Sequence, residues 1–282
     1  MVRVARSQLG ERRALVTGGA SGLGRAVARR LAGDGWRVAI ADIDPAAAEG
    51  ARAELGEPAL SLCLDVRSED DWAAVVARLD QAWGGVDLLV NSAGVASSGT
   101  VEQTPIAQWQ WVLDINLMGT VKGCRAVIPG MKARGVGHLA NVASFAGIAN
   151  PPSMASYNAA KAAVISLSET LRQELYADGI GVSVACPAFI KTPLMESSRR
   201  LAPAGSRGTA QDSRMEAIVR HLMETSGVTA ADFADDLYDA IHSGRFLVIV
   251  HRDARWRALA KRLAPEFFFR EVRRTTAKFL KR

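Results

Sequence analysis

The chain has 282 residues, 49% hydrophobic and 23% charged, with a formal net charge of +6. That length and balance exclude a largely disordered chain and suit one large α/β domain, or two small ones, with a sizeable core. No apolar run approaches the ~20 residues a membrane helix needs, and the opening MVRVARSQLGERR has no apolar core of signal-peptide type. The charge is unevenly placed. Residues 251–282 carry 11 Lys/Arg against 3 Asp/Glu, and the remainder carries 24 against 26. The surplus therefore belongs to the tail. A slightly acidic body without a recognition motif argues against nucleic-acid binding.

Cys63, Cys124 and Cys186 are widely spaced among apolar neighbours, and buried thiols in a reducing, cytoplasmic compartment are the expectation. Neither they nor His138, His221, His242 and His251 have metal-ligand spacing, so no metal site is expected.

In chain order, Arg13 to Thr17 reads as a first strand running into Gly18-Gly19-Ala20-Ser21-Gly22-Leu23-Gly24. A helix with Ala26, Val27 and Leu31 on its apolar face follows and stops near Gly33 and Gly35. Strand, glycine turn and helix together make a phosphate site: glycines admit a pyrophosphate close to the backbone, and the helix N-terminus offers free N–H groups. A second strand, Trp36 to Ala41, ends at Asp42, and Asp44-Pro45 opens the next helix. A carboxylate at the end of that strand accepts hydrogen bonds from ribose hydroxyls and repels a 2′-phosphate, which favours NAD over NADP.

Ala59 to Leu64 is a third strand, ending at Asp65, and Ser68-Glu69-Asp70-Asp71 resembles a capping box for a helix to about Trp83. Val86 to Val90 is a fourth strand, entering Asn91-Ser92-Ala93-Gly94. Thr104-Pro105 then caps a long helix that contains Asn116 and fades near Pro129 or Arg134. A fifth strand, His138 to Ala143, ends at Ser144, and a sixth, Ile180 to Cys186, ends at Pro187. Between them Ser153 to Thr170 is Ala-rich and helical, terminating near Asp178-Gly179, with Tyr157 and Lys161 at i, i+4 on one face. A fixed ammonium favours the phenolate, so the pair suits proton transfer at an alcohol or ketone oxygen.

Strand–helix alternation from 13 to 187 predicts a doubly wound parallel sheet, a Rossmann fold, with the strand C-termini along one edge. Gly18, Asp42, Asp65, Asn91, Ser144 and Pro187 all follow strand ends and gather there. Leu194 to Gly227 breaks the rhythm. Its Gly/Ser/Pro/Arg-rich stretch from Arg199 to Gln211 reads as mobile, flanked by Leu194, Met195, Met215, Ile218, Val219, Leu222 and Met223, so residues 193–227 are expected to form a lid. Thr229 and Asp232 cap a helix through His242, and Phe246 to Val250 is a last strand. Residues 1–250 then form the catalytic domain and 251–282 a basic, helical extension.

These motifs resemble the short-chain dehydrogenase/reductase family over roughly residues 10 to 250: Thr17-Gly18-x-x-x-Gly22-x-Gly24, Asp65, Asn91-Ser92-Ala93-Gly94, Asn116, Ser144 and Tyr157-x-x-x-Lys161. The resemblance implies an NAD(P)-dependent oxidoreductase acting on an alcohol or carbonyl. In it Tyr157 is the general acid/base, Lys161 lowers its pKa and binds the nicotinamide ribose, and Ser144 holds the substrate oxygen. Asn116 positions a relay water, Asp65 meets the adenine amine, Asn91 supports the sheet and cofactor pocket, and Thr192 reaches the carboxamide. The implied dinucleotide site also takes in Ser21, Leu23, Val66, Ala93, Gly94, Pro187 and Ile190. Two positions depart from the family pattern: Ser92 where a second Asn is usual, and Ala188 where Gly follows the proline. NADP-binding members carry a basic residue where this chain has Ser21 or Ile43, which again favours NAD.

The stretch from Phe145 to Pro152 and the lid flanks are apolar, so a hydrophobic secondary alcohol or ketone is the expected substrate. Lys191, Arg199 and Arg200 leave a carboxylate or phosphate carrier as an alternative. A non-catalytic dinucleotide-binding scaffold on the same fold is the competing functional class, but retention of Tyr157, Lys161 and Ser144 argues for catalysis. In the tail, Phe268 or Phe269, Val272, Thr276 and Phe279 or Leu280 recur at helical spacing opposite Arg and Lys. Docking on a partner subunit or over the chain's own site is favoured, since the family commonly forms homodimers or homotetramers. An anionic membrane surface and plain solvation are the alternatives.

Overall fold

The computed structural model describes residues 9–203 and 210–280, without side chains at 210–215 and 276–280. Met215 of the lid pattern and Thr276, Phe279 and Leu280 of the tail pattern lie outside the described side chains, and most of the Arg199 to Gln211 stretch lies outside the described residues.

The first half runs Arg13–Thr17 (β1), Gly22–Gly33 (α1), Arg37–Asp42 (β2), Pro45–Leu55 (α2), Leu60–Cys63 (β3), Glu69–Trp83 (α3), Leu88–Asn91 (β4), Ile106–Leu113 (α4) and, after a π-helical turn at Asp114–Met118, Gly119–Arg134 (α5). The second half runs His138–Val142 (β5), Ala146–Ala149 (α6), Ala155–Glu174 (α7), Gly181–Ala185 (β6), Leu194–Leu201 (α8), Ala210–Glu224 (α9), Ala230–Ser243 (α10), Leu247–Val248 (β7), Arg252–Leu263 (α11) and Pro265–Leu280 (α12).

The strands form one seven-stranded sheet in the order β3-β2-β1-β4-β5-β6-β7, and each pair is parallel. Successive strand side chains point to opposite faces. Ala14 and Val16 therefore pack with Val27 and Leu31 of α1 and Phe233 and Leu237 of α10. Leu15 packs on the other face with Trp72 and Leu79 of α3, Val127 and Met131 of α5, and Leu171 of α7. Both faces are covered, as a parallel sheet requires. Chain order reverses between β1 and β4, and there Thr17 Oγ1 accepts hydrogen bonds from the Ser92 and Ala93 amides, both at 3.1 Å. This clip opens the crevice where such sheets bind ligands.

Several local expectations change. The helix expected after Thr104-Pro105 is divided by the π-helical turn and then runs through Pro129 to Arg134. Thr104 does not cap it: its hydroxyl donates to Thr100 O at 2.7 Å, and Pro105 holds the N-cap position. Ser68 Oγ accepts from the Asp71 amide at 3.1 Å, but Asp71 accepts in return from the Asp65 amide at 2.9 Å, so the box is only half formed. The expected lid is largely helical, as α8 and α9. The last strand is only Leu247–Val248, long enough to pair with β6 at the sheet margin. Cys63 is exposed rather than buried, because it ends β3 at the open edge, whereas Cys124 and Cys186 are buried free thiols. Among the described residues no helix is long and apolar enough to cross a membrane, and no His/Cys/Asp/Glu group is arranged to hold a metal.

Candidate active site

A cleft of about 1580 Å³ runs along the strand C-terminal edge. Its lining includes Gly18, Ser21, Gly22, Leu23, Gly24, Asp42, Asp65, Val66, Ala93, Gly94, Ser144, Tyr157, Lys161, Pro187, Ile190 and Thr192. Two expected site residues, Asn91 and Asn116, stand behind that lining, 4% and 0% exposed.

The glycine turn is shaped by backbone approach. A Cβ on Gly24 would lie 2.3 Å from Gly18 O, and one on Gly18 would lie 2.8 Å from Ala93 Cα. Gly18 and Gly22 take φ of 61° and 53°, a region side chains disfavour. Ser21 is the N-cap of α1 and makes no side-chain cap hydrogen bond, and no acid occupies the first turn. The helix end thus presents free N–H donors and positive potential to the cleft, a fit for a pyrophosphate. At the adjacent strand end Asp42 accepts from the Ala20 amide at 3.2 Å and the Asp44 amide at 3.3 Å, while burial raises its pKa. Asp65 is gripped by Arg67, whose Nη2 lies 2.6 Å from Oδ2, and that hydrogen bond holds its carboxyl below the ordinary value.

Deeper in, α7 carries Tyr157 and Lys161 and β5 ends beside Ser144, all three buried. Ser144 Oγ accepts from the Ala146 amide at 3.1 Å, and Ser144 lies close enough to the Tyr157 phenol to influence its titration. Lys161 Nζ donates to Val142 O at 2.9 Å and lies 5.9 Å from the centre of the Tyr157 ring. Burial pushes the Lys161 ammonium down to about 8. It pushes the Tyr157 phenol up, with Ser144 pulling in the opposite direction. Burial therefore outweighs the acidification of the phenol expected from the lysine. Desolvation of the phenolate outweighs an ammonium held beyond the ring.

Asn116 lies in the π-helical turn, where its side chain clamps the loop after β4: Oδ1 accepts from the Val95 amide at 2.8 Å and Nδ2 donates to Val95 O at 2.9 Å. A Cβ on Gly94 would lie 3.0 Å from Asn116 Oδ1 and 3.4 Å from Lys161 Nζ, so Gly94 sits against both. Asn91 belongs to a buried chain instead, donating to Asn141 Oδ1 at 2.9 Å, while Asn141 donates to Ser168 Oγ at 3.0 Å. It ties β4 to β5 and stays out of the cleft lining.

The outer half of the cleft is mostly apolar. Met154 and Tyr157 pack with Val219 of α9, and Ile218, Leu222 and Met223 continue that wall. Arg200 lines the cleft, but Arg199 is ion-paired with Glu216 and Lys191 is exposed. The opposite wall comes from the tail: Ala260 of α11 and Phe267, Phe268 and Val272 of α12, interspersed with Asp253, Arg257 and Glu271. Phe268 is buried, and Lys261 Nζ donates to Ile148 O, so the tail docks over its own cleft. The Arg67 clamp and the π-helical turn were not anticipated. Asp65-x-Arg67 spacing was a visible signal for the first, and nothing local marked the second.

A dinucleotide cradle and a buried hydroxyl pair at one sheet edge define a nicotinamide-dependent oxidoreductase. The family model described as short chain dehydrogenase matches residues 12–202, and the chain belongs to that family. It is 37% identical over 183 residues to a 3-alpha-(or 20-beta)-hydroxysteroid dehydrogenase of Mycobacterium bovis, covering 65% of this chain and 70% of the relative. A short chain dehydrogenase/reductase from Burkholderia phymatum, solved with NAD, superposes with a TM-score of 0.86 at 30% identity, covering 92% of this chain and 96% of that one. A short-chain dehydrogenase from Sphingobium yanoikuyae, solved with NADPH, superposes with a TM-score of 0.71 at 25% identity, covering 88% and 91%.

Proposed function

We propose that the protein is an NAD-dependent dehydrogenase that interconverts a hydrophobic secondary alcohol and its ketone. The observation that carries this reading is the burial of Ser144, Tyr157 and Lys161 together at the inner end of a cleft whose outer half is mostly apolar. When bound, the nicotinamide supplies the hydride acceptor or donor. The chain's own groups handle the oxygen. Ser144 donates a hydrogen bond to it, and Tyr157 gives or takes its proton. A phenol kept neutral by burial is ready to act as the acid in ketone reduction, whereas alcohol oxidation requires it to be deprotonated first. Lys161 holds the ribose and adds positive charge below its pKa of about 8. Asn116 fixes the floor of the site, where a relay water would meet Lys161.

Gly18, Ser21, Gly22, Leu23 and Gly24 hold the pyrophosphate. Asp65 and Val66 bound the adenine, and Ala93, Gly94, Pro187, Ile190 and Thr192 bound the nicotinamide half. Asp42, at the end of β2, supports NAD over NADP because its carboxylate repels a 2′-phosphate. Members of the family commonly oligomerise, and we take a homodimer or homotetramer as the working assembly. The two buried free thiols are the basis for assigning it to the cytoplasm. A non-catalytic scaffold has no observation in its favour, since all three groups of the proton-transfer set meet in the cleft. The direct test follows NADH absorbance with a panel of hydrophobic secondary alcohols and both oxidised cofactors. NAD-linked oxidation by the wild type supports the reading, and an inert protein that still binds NADH would reject it.

A further inference from the structure

Thirteen large apolar side chains are exposed among the described residues, and five of them fall close together: Trp256, Leu259, Leu263, Phe267 and Phe269. Trp256 and Leu263 are 72% and 74% exposed, among the most open of the set. Trp256, Leu259 and Leu263 stand at i, i+3 and i+7 of α11 and so form one stripe. The opposite side of α11 faces inward, where Ala254 is buried and Lys261 bonds to Ile148 O. Around the stripe, Arg252, Arg255, Arg257, Arg262, Arg270, Arg273 and Arg274 are all exposed. Acids offset only some of them: Asp236 of α10 pairs with Arg255, Asp253 with Arg257 and Glu271 with Arg274, which leaves Arg252, Arg262, Arg270 and Arg273 without an acidic partner among the described residues. The rest of the chain has no such surplus, since 24 Lys/Arg meet 26 Asp/Glu outside residues 251–282.

We propose that α11 and α12 seat this protein on the surface of an anionic phospholipid bilayer, with the Trp256–Leu259–Leu263 stripe entering the interface and the flanking arginines meeting lipid phosphates. A tryptophan suits that depth, because its ring is apolar and its N–H reaches the wet side. Charge selects this occupant. A second copy of the same patch would bring its arginines against their own kind, whereas an anionic leaflet complements them. The same two helices reach the cleft: Phe267, 56% exposed, lines it together with Ala260 and Arg257. A hydrophobic substrate dissolved in lipid would then enter between α12 and α9 without crossing water. The membrane contact itself stands independently of the proposed activity.

The test uses the full-length protein with vesicles of phosphatidylcholine alone and of phosphatidylcholine mixed with phosphatidylglycerol. Co-sedimentation with the anionic vesicles only, weakening as salt rises, is the expected result. Trp256→Ser combined with Leu263→Ser should lower the partition coefficient at least tenfold, as should Arg252→Glu combined with Arg262→Glu. All four side chains are exposed and away from the dinucleotide cradle, so NADH binding should persist and reports that the variants are folded. Failure to sediment with anionic vesicles overturns the proposal, as does equal binding by the Trp256→Ser/Leu263→Ser variant. A wild-type oligomer that this variant splits in sedimentation velocity, without any vesicle binding, would mark the stripe as a subunit interface and overturn it equally.

Discussion

Lys161 Nζ donates a 2.9 Å hydrogen bond to Val142 O, which draws the ammonium of α7 down onto the end of β5. That bond fixes where positive charge sits under the cleft, and it does so on a residue only 5% exposed. The lysine is consequently both a functional group and a liability.

The liability is measurable. Lys161 sits at about 8 against an ordinary value of 10.5, so between those values the unfolded chain binds more protons than the folded one. Stability therefore rises with pH across that window, and below it a charged lysine is buried at a cost of about 3 kcal/mol. Replacing it with Met removes that cost but leaves Val142 O without its donor, offsetting about 1 kcal/mol. Lys161→Met should thus stabilise the cofactor-free protein by about 2 kcal/mol at pH 7, with the gain fading above pH ~10. Urea unfolding at neutral and alkaline pH checks this, and turnover should be lost in the same variant.

Tyr157→Phe removes the proton donor and keeps the ring. NADH affinity should hold while kcat falls about 10²–10⁴-fold, the usual range for an acid/base group. An unchanged kcat would remove Tyr157 from the mechanism. In the wild type, burial holds the phenol protonated, so alcohol oxidation should accelerate as pH rises and ketone reduction should slow. Initial rates in both directions across the same buffers show whether the two profiles have opposite slopes.

The cradle is tested at Gly24. Its added methyl would meet Gly18 O at 2.3 Å, backbone against backbone, with no flexible side chain to yield. Gly24→Ala should cost about 1–3 kcal/mol in stability and reduce NADH affinity by at least tenfold. Circular dichroism separates misfolding from a closed phosphate site, and a folded variant with native affinity would refute the assignment of the turn.

Asp42 is a question of selectivity. Asp42→Ala removes the carboxylate at the end of β2, and the ratio of kcat/KM for NAD over NADP should narrow by at least tenfold. A stronger preference for NAD in that variant would contradict the proposal.

Much of the fold is legible in the sequence, because it depends on neighbours along the chain. Strand–helix alternation, Asp44-Pro45 at a helix start, and the reciprocal cap of Thr229 and Asp232 are decided within a few residues of each other, and each appears where expected. Strand-then-glycine-then-helix order was enough to put Gly18, Asp42, Asp65 and Ser144 on one edge, since parallel strands joined by right-handed crossovers leave no other arrangement.

What tertiary structure alone decided involves groups distant in the chain. The direction of the Tyr157 shift follows from how completely the fold excludes water, which the spacing to Lys161 does not encode. The clamp of Asn116 on Val95 needs the π-helical turn at Asp114–Met118, and Cys63 is exposed only because its strand ends at the sheet margin. The tail pattern allowed several resting places, and packing of Phe268 over the cleft selected one. Local sequence sets which elements form and in what order. Desolvation and contact depend on which surfaces meet, and that is a property of the folded chain as a whole.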